Sequence, residues 1–258
     1  MPAAERSARG TDTEAMWLPE PRRLLAELFG TFALTAVAAG ADVAGRITGG
    51  EVGPAARAVA PGLLVMSMVY ALGDTSGAHF NPAVTLAFAA RRLFPVPWLL
   101  AYWAAQATGA IAAAAALVVL FPDAADAGVS APHVAALVAL PVEVFLSVLL
   151  VTVILGTADR NRIVGPNAAI AVGGTIALCG LIALPITAAS MNPARSLGPA
   201  LVTGRVGDLW IYVLAPFVGA LLAVGLATAL HGPVPRSEKQ VEAATGCPPR
   251  RRRRGGAS

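Results

Sequence analysis

The chain has 258 residues, of which 56% are hydrophobic and 13% charged, with 19 Lys and Arg against 15 Asp and Glu for a formal net charge of +4. With a positive mean hydropathy, this balance excludes a disordered chain or an ordinary water-soluble domain and indicates a polytopic membrane protein. Cys179 lies in an apolar run and Cys247 in a polar tail, so no disulfide framework is expected.

The first 20 residues carry Glu5, Asp12 and Glu14 and no apolar core. Residues 1–21 are therefore expected to be a disordered cytoplasmic tail rather than a cleaved signal peptide. Apolar runs near the roughly 20 residues that cross hydrocarbon follow at Leu24 to Ala41, Ala58 to Leu72, Val96 to Phe121, His133 to Gly156, Ile163 to Ile186 and Leu209 to His231. They predict six transmembrane helices. On that reading 15 of the 19 basic residues, including Arg22, Arg23, Arg91, Arg92 and the run Arg250 to Arg254, fall on one side. Only Arg46, Arg57, Arg195 and Arg205 fall on the other side or within the membrane. This asymmetry puts both termini in the cytoplasm and the protein in the plasma (inner) membrane.

The first span carries Glu27. A carboxylate in an apolar segment is expected to face the bundle and accept hydrogen bonds, the alternative being a place in the headgroup zone. An external loop, Asp42 to Gly53, leads to the second span, which ends at Gly73-Asp74-Thr75-Ser76-Gly77. The short side chains of Ser76-Gly77-Ala78 let the backbone run irregularly, and His79 and Phe80 lead into Asn81-Pro82-Ala83. Asn is a favoured N-cap, and Pro suits the first helical position because its missing N–H has no partner there. A half-helix is predicted over Pro82 to Ala90, returned to the cytoplasmic surface by Arg91-Arg92. For His79 no second His or Cys lies at ligand spacing, which favours a backbone-orienting or pore-lining role over a metal site.

The third span holds Gln106, Gly109 and the run Ala112 to Ala116, small residues that allow helices to approach closely in lipid. After the loop Pro122 to Pro132 the fourth span repeats the opening, with Glu143-Val144-Phe145 echoing Glu27-Leu28-Phe29. The second triplet, Asn192-Pro193-Ala194, stands 111 residues after the first, and the two glutamates are 116 apart. The chain is thus an internal duplication, repeat one over 22–121 and repeat two over 132–231. Three spans per half force the second copy to enter from the opposite face, giving an inverted repeat with its site near the midplane. The expected fold is an all-α membrane protein of six transmembrane helices and two re-entrant half-helices in a 3+3 arrangement. Pro193 to Val202 forms the second half-helix, and residues 232–258 form a disordered basic tail. In that tail Arg250 to Arg254 is a topology determinant or a lipid contact rather than a nucleic-acid site.

The stretches Ser76-Gly77-Ala78-His79-Phe80-Asn81-Pro82-Ala83-Val84-Thr85 and Met191-Asn192-Pro193-Ala194-Arg195-Ser196-Leu197-Gly198-Pro199 resemble the aquaporin (major intrinsic protein) family over about Arg22 to His231. The resemblance implies a homotetramer with one pore per subunit, passing water and small neutral solutes without any cofactor. It further implies side-chain donors at Asn81 and Asn192, and pore-facing carbonyls at Gly77, Ala78, His79, Ala188, Ala189 and Ser190. Glu27 and Glu143 would buttress the irregular loops, and a filter would form at Pro61, Gly180, Ala189 and Arg195. Water-selective members usually place an aromatic residue and a histidine at the first two filter positions, so a widened filter is expected. Ser196, Ala200 and Tyr212 match water channels instead, and Val213 replaces a usual Trp. A strict water channel is the alternative reading, and an ion-coupled secondary transporter is the alternative class with less support. An enzyme is not expected, because no nucleophile, base and orienter stand at plausible spacing. Cys179 could face the outer vestibule or a neighbouring helix.

Overall fold

A computed structural model describes residues 19–158, 167–232 and 244–246. The run Arg250 to Arg254, the start of the expected fifth span and most of both tails lie outside the described residues. The helices are α1 (Pro21–Ile47), α2 (Pro54–Ser76), α3 (Pro82–Ala90), α4 (Leu99–Leu120), α5 (Ala136–Thr157), α6 (Ala168–Thr187), α7 (Pro193–Thr203) and α8 (Leu209–His231), with short 3-10 turns at Val96–Trp98 and Ala125–Gly128. Six of them, with Val96–Trp98 extending α4, are long and apolar enough to cross a membrane, and α3 and α7 are the two short ones.

Both half-helices begin as the triplets dictate. Asn81 has extended backbone and its Oδ1 accepts from the Ala83 N–H at 2.9 Å. Asn192 does the same with Ala194 at 3.0 Å and Arg195 at 3.3 Å. Each capped N–H would otherwise be an orphan donor at membrane depth. The spans that precede them stop in left-handed conformation, α2 at Gly77 (φ 88) and α6 at Ala188 (φ 68). Glycine takes that conformation freely, whereas Ala188 is held there by its surroundings.

The two halves pack alike. Helix α1 lies on α4 and α5 on α8, while α2 crosses α6 between them. Several close approaches between helices need glycine. A β-carbon at Gly109 would sit 2.2 Å from the Leu28 carbonyl oxygen, and one at Gly219 would sit 2.7 Å from that of Val144. At the central crossing, a β-carbon on Gly62 would lie 2.4 Å from the Gly173 oxygen, and one on Gly173 2.5 Å from the Gly62 oxygen. Without a hydrophobic drive between helices in lipid, such backbone proximity supplies the packing energy.

The sequence placed two features differently. Helix α1 runs to Ile47 rather than ending near Ala41, so Asp42, expected in the external loop, belongs to the helix and is buried. Leu34, Ala38 and Asp42 stand four residues apart on one face, which the apolar-run boundary concealed. Glu27, by contrast, is fully buried within the bundle and accepts hydrogen bonds there, as expected. Ala244–Gly246, inside the stretch expected to be a disordered tail, is docked against the protein. Ala244 and Thr245 are buried, the Ala244 carbonyl accepts from His79 Nε2 at 2.9 Å, and that of Thr245 accepts from the Arg23 guanidinium.

Candidate functional site

A cavity of about 520 Å³ runs between the two halves. Asp42, Arg57, Pro61, Gly180, Ala189 and Arg195 line one end, Asn81 and Asn192 the middle, and Tyr70, Asp74 and Thr157 the other end. Between its ends the polar groups come mainly from the two loops that precede the half-helices, and both loops are strained. Ala78 (φ 51), Phe80 (φ 50), Ala189 (φ 44) and Met191 (φ 54) all adopt the left-handed region, which costs a non-glycine residue on the order of 1–3 kcal/mol unless its surroundings enforce it.

The enforcement comes from the two buried glutamates. Glu27 Oε1 accepts from the His79 N–H at 2.9 Å and Ser76 Oγ at 2.7 Å, and its Oε2 accepts from the Phe80 N–H at 2.8 Å and Gln106 Nε2 at 2.7 Å. Glu143 Oε1 accepts from the Ser190 N–H at 3.0 Å and Thr187 Oγ1 at 2.7 Å, and its Oε2 accepts from the Met191 N–H at 2.9 Å. Tyr102 and Tyr212 add matching bonds to the carbonyls of Ser76 and Thr187, at 2.9 and 2.7 Å. Gln106 has no equivalent in the second half, where Pro216 stands at the corresponding place in α8. With their backbone N–H groups held by carboxylates, the loops leave carbonyls of Gly77, Ala78, His79, Ala188, Ala189 and Ser190 on residues that line the cavity.

The triplets meet head to head. Asn81 Nδ2 donates to the Met191 carbonyl at 2.9 Å and Asn192 Nδ2 to the Phe80 carbonyl at 2.8 Å. Each amide has a second N–H, and both asparagines line the cavity. A molecule in its middle therefore meets donors, with two positive helix ends behind them.

His79 turns its ring into the protein. It stacks on Phe88 at 4.8 Å, contacts Phe94 and Tyr102, and its Nδ1 lies 3.1 Å from Thr85 Oγ1. Arg195 is held by the Gly128 carbonyl at 3.5 Å, by the Ser130 hydroxyl and by Asp42 Oδ2 at 3.4 Å. Ser130 and Ser190 both bond the Ser196 hydroxyl, at 2.7 and 2.5 Å. Sequence reasoning missed Asp42, Arg57, Gly128 and Ser130, the last two because their loop has no repeat partner. The four-residue spacing of Leu34, Ala38 and Asp42 was the available signal for Asp42.

Cys179 is fully buried among Leu146, Leu150, Ala183 and Met191 and is absent from the cavity wall. Mercuric chloride is accordingly expected to leave water flow unchanged in stopped-flow light scattering. Inhibition that Cys179→Ser removes would contradict this placement.

Comparison with known proteins agrees with the geometry. Residues 15–226 match the model of the family described as major intrinsic protein. The chain is 43% identical over 214 residues to aquaporin NIP1-1 of Oryza sativa subsp. japonica, covering 80% of this chain and 73% of the relative. It is 43% identical over 199 residues to probable aquaporin NIP4-2 of Arabidopsis thaliana, covering 77% and 70%. Among solved structures, the aquaglyceroporin from Plasmodium falciparum superposes with a TM-score of 0.72 at 23% identity, covering 80% of this chain and 94% of that one, and so shares its fold. The chain belongs to the major intrinsic protein family and is a multi-pass membrane channel for water and small solutes, not an enzyme.

Proposed function

We propose that this channel is passive and has a widened filter, passing water together with small uncharged solutes such as glycerol, urea, ammonia or an undissociated metalloid acid, and excluding protons and ions. The observation that carries the proposal is the cavity wall around Arg195, where Pro61, Gly180 and Ala189 present neither an aromatic ring nor an imidazole. Cross-section acts directly on passage. The residues that match strict water channels lie elsewhere: Ser196, Ala200 and Tyr212 are buried and off the cavity wall. Tyr212 supports the second loop through the Thr187 carbonyl and so bears on loop shape rather than pore size.

Part of the room left by Gly180 is taken back. A β-carbon there would lie 2.8 Å from the Ala58 carbonyl oxygen, so the glycine also lets α2 approach α6. Pro61 is the better place to probe width, since it lies within α2 and lines the cavity. Pro61→Phe is expected to lower glycerol and urea uptake by about tenfold, equivalent to about 1.4 kcal/mol of barrier, with a smaller loss of water flow. Stopped-flow light scattering on proteoliposomes reads both. An equal effect on water and solutes would remove Pro61 from the constriction. A wild type passing water but no glycerol or urea would make this a strict water channel.

Ion exclusion is supported by the two half-helix N-termini and the donors at mid-cavity. Coupled transport has less support, because both deep carboxylates are engaged by loop N–H groups. The filter is formed by Pro61, Gly180, Ala189 and Arg195, the donors by Asn81 and Asn192, and the subunits assemble as a homotetramer. Both termini are cytoplasmic, with the protein in the plasma membrane. This orientation is supported by basic residues at the same end of the bundle, Arg22 at the start of α1 and Arg91, bonded to Thr228 near the end of α8 at 2.6 Å.

A further inference from the structure

The filter arginine of this chain is not a free charge. Asp42 Oδ2 lies 3.4 Å from Arg195 NH2, and both side chains are more than nine-tenths buried. A buried carboxylate at that distance cancels most of the field of one guanidinium toward the cavity. A constriction relying on Arg195 alone would therefore be close to neutral.

A second guanidinium restores the balance. Arg57, in the first turns of α2, gives its Nε to Asp42 Oδ1 at 2.8 Å and its NH2 to the same oxygen at 2.7 Å. It lines the cavity beside Arg195, with 30% of its side chain exposed. Two fixed cations thus share one carboxylate at the mouth, and the net charge is that of one. The other two external arginines form a similar bridge, Arg46 and Arg205 on Asp126, but these are half-exposed at 51% and 64% and lie away from the cavity. Among the described residues, only the Asp42 bridge lines the cavity.

We infer that Arg57 is a specificity-determining residue of the outer constriction, supplying the net positive charge that repels cations, and that Asp42 is the positioning residue that holds Arg57 and Arg195 side by side. Asp42 fixes both guanidiniums and also makes the second one necessary. This inference rests on the proposed exclusion of cations and identifies the charge responsible for it at the outer mouth.

The test uses charge arithmetic. Proteoliposomes carrying the full chain are assayed for uptake of guanidinium, a charged near-isostere of urea, and for proton influx under a potassium diffusion potential, each divided by osmotic water flow in the same vesicles. Protons travel on water, so the second readout is independent of filter width. Arg57→Ala leaves Asp42 against Arg195 and is expected to raise both cation fluxes per unit water flow by at least about tenfold. Asp42→Asn with Arg57→Ala leaves Arg195 alone and uncompensated, and is expected to bring both fluxes back to within about threefold of wild type. Arg57→Lys, which keeps the charge, is expected to remain at the wild-type level. Unchanged cation flux in Arg57→Ala overturns the inference. Equal leak in the single and double variants also overturns it, since it would assign the leak to lost packing rather than lost charge. A wild type that itself admits guanidinium and protons would instead defeat the underlying ion-exclusion reading. A wild type that admits no urea would defeat only the widened filter.

Discussion

Glu143→Ala is expected to abolish water flow in reconstituted vesicles and to reduce the yield of folded protein sharply. The carboxylate accepts from the N–H groups of Ser190 and Met191 and from the Thr187 hydroxyl. The three donors are directed at this buried carboxylate rather than at lipid or bulk water. Each buried donor left unpaired costs about 1–3 kcal/mol, and the loop already carries the strain of Ala188, Ala189 and Met191 at positive φ. Against a net stability on the order of 5–15 kcal/mol, losing three bonds removes much of the margin. Glu143→Gln keeps one oxygen but turns an N–H2 toward a backbone donor, so an intermediate loss is expected. Size-exclusion profiles in detergent, read beside the flux, separate misfolding from a blocked pore. Full water flow in Glu143→Ala would show that the second loop holds its shape without the carboxylate.

Gly173→Leu and Gly174→Leu change adjacent residues of one helix and are expected to have opposite outcomes. At Gly173 even a β-carbon would lie 2.5 Å from the Gly62 oxygen and 2.6 Å from the Met66 β-carbon. The first of these contacts is with backbone, which cannot rotate aside. Overpacking a tight interior costs typically about 1–3 kcal/mol for a few methylenes, and here the central crossing of the two repeats must open to make room. Gly174 has nothing within 4 Å and faces outward, and leucine is the better helix former by up to about 1 kcal/mol. Thermal unfolding in detergent, followed by intrinsic fluorescence, should show loss of the cooperative transition for Gly173→Leu and an unchanged or higher midpoint for Gly174→Leu. Similar midpoints would mean that α2 and α6 do not cross as closely as the backbone distances require.

Much of the pore was legible in the sequence because its local chemistry is tied to few residue types. Asn and Pro at a helix start left little freedom, so α3 begins and ends where Asn81-Pro82 and Arg91 imply, and α7 differs only by one residue at its end. The duplication was legible from the similar offsets of Glu27 and Glu143 and of the two triplets, 116 and 111 residues, and the backbone hydrogen bonds to the two glutamates match pair by pair. What the sequence hid was a charged residue continuing a helix. Asp42 ends the apolar run, yet it lies one turn beyond Ala38 on the cavity face, where two arginines from distant parts of the chain neutralise it. Hydropathy cannot foresee a carboxylate whose partners come from α2 and α7. Docking of Ala244–Gly246 was equally invisible, because the fit depends on two small residues in contact: a β-carbon on Gly77 would sit 2.3 Å from the Ala244 oxygen. Cys179 shows the same limit, since helix rotation decides between cavity and core and the all-round apolar sequence of α6 does not fix it.

A cavity whose polar path is set by two half-helices is expected to be open to neutral molecules without coupling to any ion. The most direct measurement is the initial rate of glycerol uptake into proteoliposomes at equal glycerol gradients, with and without an imposed sodium or proton gradient. A rate that is unchanged by either ion gradient, and that ends when glycerol is equal on both sides, is the predicted result. Accumulation of glycerol above the external concentration, driven by one of those gradients, would contradict it.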